Sequence, residues 1–150
     1  MTENSIYQNP LGTRYASREM QENFGDEKRF RLWRKLWIVL AESEMELGLP
    51  VTKAQVDELK AHACDIDYER AEMYERQVRH DVMAHVKTYG DAAPTAAPII
   101  HLGATSCFVD CNSEVIIIKD GLDIILRKLV NVMDKLKRFA LKYKDVPTLG

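Results

Sequence analysis

Residues 112–144 read NSEVIIIKDGLDIILRKLVNVMDKLKRFALKYK. Val115, Ile118, Leu122, Ile125, Leu129, Val132, Leu136, Phe139 and Tyr143 follow one another at alternating intervals of three and four. That is a heptad seam, and it predicts one helix over 112–144. At 1.5 Å per residue such a helix is roughly 45–50 Å long. Ile117, Leu126, Val130, Met133 and Ala140 add apolar surface beside the seam. A strand over 114–118 would suit the isoleucines, but the seam runs on past them and argues for helix. The short segments upstream cannot cover a helix of that length on several sides. Partners for it are expected from further chain or from other subunits. The final residues, Val146-Pro147-Thr148-Leu149-Gly150, break the helix, and the chain is expected to be a cut through a larger protein.

Outward from the seam, the patterning predicts an all-α fold. Residues 1–25 look irregular, punctuated by Pro10, Gly12 and Gly25. A helix is expected from a cap at Asp26 to about residue 47, with Phe30, Trp33, Leu36, Trp37, Leu40 and Leu47 turned inward. Gly48 and Pro50 stop it. Thr52 caps a short helix with Val56 and Leu59 inward, and Asp67 starts a helix running to about Tyr89, ended by Gly90. Its expected inward residues are Ala71, Tyr74, Val78 and Val82.

The totals exclude several classes. The 150 residues fit one domain by length, and 46% hydrophobic with 29% charged residues describe a soluble globular chain. A net charge of −2 and scattered aromatics argue against nucleic acid as a partner. No apolar run approaches a membrane span, and the N-terminus lacks a basic-then-apolar signal. The three cysteines, Cys64, Cys107 and Cys111, form an odd, sparse set that suggests free thiols in a reducing, cytoplasmic setting. Cys107 and Cys111 are four apart, but no further ligand completes a zinc set, so packing near a helix start is the expectation and no metal is assigned.

Three polar segments are candidates for chemistry. His101-Leu-Gly-Ala-Thr105-Ser106 precedes the long helix, where free N–H groups and the helix dipole favour an anion. The same hydroxyls could equally be a routine helix cap, and His101 could be packed. Arg79-His80-Asp81 sets a cationic fork, an imidazole and a carboxylate side by side. On a continuous helix His80 would point away from the Val78–Val82 face, so a solvated surface with an Asp81–His85 contact is the competing reading. Arg14-Tyr15 could hold an anion by a forked contact plus a hydroxyl, or could be an ordinary loop pair. Glycine spacing fits neither a P-loop nor a dinucleotide fold.

Four blocks together resemble the adenylosuccinate lyase family of the fumarase/aspartase superfamily. They are Pro-Leu-Gly-Thr-Arg-Tyr-Ala-Ser at 10–17, Trp-Arg-Lys-Leu-Trp at 33–37, Arg-His-Asp-Val-Met-Ala-His at 79–85 and Ile-Ile-His-Leu-Gly-Ala-Thr-Ser-Cys at 99–107. The resemblance implies an N-terminal helical domain over 1–111 and, over 112–150, the truncated start of a central helical bundle. It implies a homotetramer, a nucleotide substrate (adenylosuccinate) and β-elimination of fumarate, without cofactor or metal. Arg14 and Tyr15 would hold the phosphate, while Arg79, His80 and Asp81 would line the nucleotide pocket. Thr105 and Ser106 would contact the succinyl part, with His101 in support. No catalytic residue is expected in this chain: the family's general-acid His, in a Thr-His-x-Gln-Pro motif, and its general-base Ser would follow Gly150. Cys111 stands where relatives often carry Asp, which leaves Asp110 to serve the helix start. Two other readings remain: another lyase of the superfamily, such as argininosuccinate lyase, or a non-catalytic helical assembly module.

Overall fold

The computed structural model describes residues 8–149. It is all-α, with no strand among the described residues. A π-helical turn at Leu11–Tyr15 is followed by α1 (Arg18–Asn23), α2 (Asp26–Glu46), α3 (Lys53–Ala61), α4 (Tyr68–Val78), α5 (Asp81–Ala92), a 3₁₀ turn (Ala97–Ile99) and α6 (Ser106–Tyr143). Residues 24–116 form one compact unit, and residues 8–23 with 117–149 form another.

The larger unit is built around the two tryptophans of α2. Trp33 and Trp37 are buried with Ala41, against Val56 and Leu59 of α3, Val82 and Tyr89 of α5, Ile99 and Ile100, and Val109. The indole N–H of Trp33 donates to Ser113 Oγ at 3.1 Å, and the Tyr89 hydroxyl donates to the Leu59 carbonyl at 2.6 Å. These bonds satisfy the polar ends of large rings inside an apolar core. Leu47 departs from its expected place: it is the C-cap of α2 and 79% exposed. The helix has turned that position out of the stripe, and Ala41 and Glu44 are buried instead. Asp26 is the first helical residue rather than the cap, which is Gly25, so its carboxylate acts on the helix dipole and not as a hydrogen-bonded cap.

The caps of α3 and α4 follow the sequence. Thr52 and Gln55 form a reciprocal capping box, and Asp67 Oδ1 accepts the Arg70 N–H at 2.9 Å. The expected single helix from 67 to 89 is two helices, broken at Arg79 and His80. The second of them runs through Gly90 to Ala92. Gly90 serves packing rather than termination, since a Cβ there would lie 3.0 Å from the Ala97 Cβ. Helices α4 and α5 pack on each other, and Asp91 of α5 accepts from Tyr74 at 2.8 Å and pairs with Arg70 at 3.2 Å.

In the smaller unit, Asn23 of α1 is buried and donates to the Ile117 carbonyl at 2.9 Å. Lys128 donates to Ser17 Oγ at 2.6 Å, and Arg127 pairs with Glu19. Along α6, Ile117 and Ile124 are buried, but Ile118, Leu122, Ile125, Leu129, Val132, Leu136 and Phe139 are exposed. The helix begins at Ser106, six residues earlier than the heptad pattern alone indicates.

Candidate functional site

The break between α4 and α5 is where the larger unit gathers polar chemistry. Arg79 has φ 53° and ψ 41°, the only positive φ of a non-glycine residue among the described residues. Such a conformation costs an ordinary L-residue roughly 1–2 kcal/mol. It reverses the chain after α4, and the Arg79 N–H closes the last turn on the Glu75 carbonyl at 2.7 Å. Its side chain lines a shallow groove with Glu72, Glu75 and Arg76.

His80 is extended and caps α5, its Nδ1 lying 3.5 Å from the Met83 nitrogen. The same Nδ1 lies 3.5 Å from Asp81 Oδ1. Asp81 sits in the first turn of α5, where its carboxylate accepts the Val82 N–H at 2.8 Å. The Asp81–His85 contact expected of a continuous surface helix is replaced by this arrangement. His85 is buried, stacked on Phe30 with centroids 3.8 Å apart, and its Nδ1 has no partner.

His101 comes to the same neighbourhood from the other side of the core. Its Nδ1 accepts the Trp37 indole N–H at 3.0 Å, so the neutral ring carries its proton on Nε2. Burial lowers its pKa, and the nearby charge of His80 lowers it further. Asp110 on α6 completes the group. Desolvation raises its carboxyl pKa first, then repulsion from Asp81 and Glu114, while Arg29 and His80 oppose the shift. His80, Asp81, His101 and Asp110 thus form one electrostatic cluster drawn from α5, the turn at 101 and α6. Asp110 and Arg29 carry no motif; only the fold brings the charges of Arg29 and His80 to bear on Asp110.

The turn before α6 needs Gly103, whose φ of +64° an L side chain rarely adopts. Thr105 is exposed, and its carbonyl accepts the Phe108 N–H at 2.9 Å. Ser106, half-buried, is the first helical residue. Arg14 and Tyr15 lie in the smaller unit, in the π-helical turn, with the guanidinium 5.6 Å from the Tyr15 ring centroid. Both are exposed.

One buried group escaped the sequence reading altogether. Arg34 is 1% exposed, lies 3.6 Å over the Tyr89 ring, and has no hydrogen-bond partner at Nε, Nη1 or Nη2. Burial lowers its pKa to about 10. Burial likewise pushes His85 down to about 4, with Arg34 adding to the shift. A basic residue between two tryptophan positions was the available signal, but it reads equally as a surface arginine.

No protein-family model matches the chain. Among curated proteins it is similar to adenylosuccinate lyase of Saccharomyces cerevisiae, 52% identical over 147 residues, 96% of the chain and 30% of that protein. Adenylosuccinate lyase of Schistosoma mansoni is 50% identical over 150 residues, the whole chain and 31% of that protein. That of Schizosaccharomyces pombe is 48% identical over 153 residues, again the whole chain and 32% of that protein. The chain therefore spans about 30% of the length of the curated relatives it matches.

Proposed function

We propose that this chain, 48–52% identical along nearly its whole length to adenylosuccinate lyases, is part of such an enzyme and carries a share of its substrate site. The reaction is a β-elimination: adenylosuccinate, or the succinylated aminoimidazole carboxamide ribotide, loses fumarate in cytoplasmic purine nucleotide synthesis. A base takes the proton beside a carboxylate, and an acid protonates the leaving nitrogen. Negative charge builds on that carboxylate, so fixed donors aimed at it lower the barrier.

In this reading Arg14 and Tyr15 hold the phosphate, and Arg79, His80 and Asp81 line the nucleotide pocket. Thr105 and Ser106 contact the succinyl moiety. His101 is a supporting residue, its Nε2–H kept as a donor by the Trp37 bond. The observation that carries the reading is the near-complete coverage of the chain by lyase relatives, joined to the strained backbone at Arg79. Strain held in an ordered, polar segment is a recurrent mark of a binding site. We assign proton transfer to no residue of this chain; the acid His and base Ser belong to the remainder of the enzyme. The exposed stripe of α6 is the seam of a homotetrameric bundle.

The test is fumarate release from adenylosuccinate. The whole enzyme is expected to turn over and the 150-residue chain alone to be inert. Absence of turnover by the whole enzyme, with activity on argininosuccinate instead, would reassign the substrate.

A further inference from the structure

The first turns of α6 hold a pair of groups that elimination chemistry leaves unused. Cys107 and Cys111 are four residues apart, so they stand one above the other on one helix face. Both are exposed, contrary to the packed position expected of them. One helical turn of spacing thus sets the two thiols over the same exposed face of α6.

Geometry limits what such a pair can take. A disulfide needs Cβ atoms about 3.5–4.5 Å apart. Residues one helical turn apart hold them at about 5–6 Å, so direct S–S closure would unwind the start of α6. Zinc needs about four ligands, and no group of three or more His, Cys, Asp or Glu able to hold a metal ion occurs among the described residues. A single thiophilic atom fits better: with bonds of about 2.3 Å to each sulfur, as for zinc thiolates, it bridges thiols one helical turn apart without moving the helix. It must accept two thiolates and complete its valence with a substituent of its own.

We propose that Cys107 and Cys111 form a preformed dithiol site for a trivalent organoarsenical. With phenylarsine oxide the step balances without a redox partner. Two S–H bonds and the arsenic–oxygen bond break, two As–S bonds form, and the oxygen leaves with both protons as water. Arsenic stays trivalent throughout. The bridge staples the turn that begins at Ser106. Cys64 is an exposed thiol outside this turn, with the Arg31 guanidinium at 3.6 Å, and serves as the internal control.

The experiment titrates the 150-residue chain with phenylarsine oxide under excess 2-mercaptoethanol, which displaces single-thiol adducts. Intact mass and free-thiol counts are read for the folded chain and the urea-unfolded chain. One arsenical and two lost thiols are expected for the wild type and for Cys64→Ser. Cys107→Ser and Cys111→Ser, with helicity checked by circular dichroism, each lose retention at least about tenfold. Because the site is preorganised, folded chain binds at least about tenfold more tightly than unfolded chain, and its melting temperature rises on binding. Retention by either serine variant, or equal affinity of folded and unfolded chain, overturns the proposal.

Discussion

At Arg79 the backbone is held left-handed, and a glycine would adopt that conformation without the Cβ penalty. Arg79→Gly is therefore expected to leave the stability of the chain unchanged or raise it by up to about 1 kcal/mol. Under the proposed function, the same change is expected to weaken substrate binding by the whole enzyme. A urea titration checks the first part, and a loss above about 1 kcal/mol would mean that the side chain holds the fold. His85 gives a pH signature. Its folded pKa, about 4, lies below the ordinary 6.5, so the unfolded chain binds the proton more readily. Stability is complete above the unfolded value and falls as pH drops from about 6.5 towards 4, by up to about 1.4 kcal/mol per pH unit. His101 shifts in the same direction and adds to the trend. In His85→Phe the slope of stability with pH over this window should flatten; an unchanged slope would assign it to other groups. The residue identities of Arg79, His80 and Asp81 were legible as a polar cluster. Their electrostatic coupling to His101 and Asp110 was not, because nothing in spacing tells which distant charges the fold brings to bear on one another.

The division between α4 and α5 is the clearest case at the scale of the element. No glycine or proline lies between Asp67 and Tyr89, and the hydrophobic spacing suits one continuous helix. The break appears because α5 must aim Val82 and Tyr89 into the tryptophan core while α4 buries Ala71 alone. That choice belongs to packing, which local propensity does not encode. Gly90 was legible as a special position, but as a stop; its use is close approach to the 3₁₀ turn. Gly90→Leu is expected to cost about 1–3 kcal/mol by overpacking against Ala97. Denaturant midpoints measure it, and a neutral result would show that the turn yields. Thr52 is simpler, since its place as a cap is legible in the sequence, and the structure adds Gln55 to close a capping box. Thr52→Ala should lower stability by about 1 kcal/mol.

At the scale of the whole molecule, α6 leaves Leu122, Leu129, Leu136 and Phe139 exposed along one helix. A stripe of that extent marks an interaction surface. The 150-residue chain is expected to self-associate, and Leu129→Glu with Leu136→Glu should shift it towards monomer without loss of helicity. Sedimentation velocity reads the shift; a monomeric wild type at micromolar concentration would contradict it. Local chemistry in the sequence by itself determined the all-α class, the caps at Thr52 and Asp67, the long helix and the polar blocks, because periodicity and capping act over a few residues. Tertiary structure alone decided the break at Arg79, the burial of Arg34 and His85, and the electrostatic coupling of His80 to His101 and Asp110. Those features depend on which faces compete for one core, and that competition joins residues far apart in the chain.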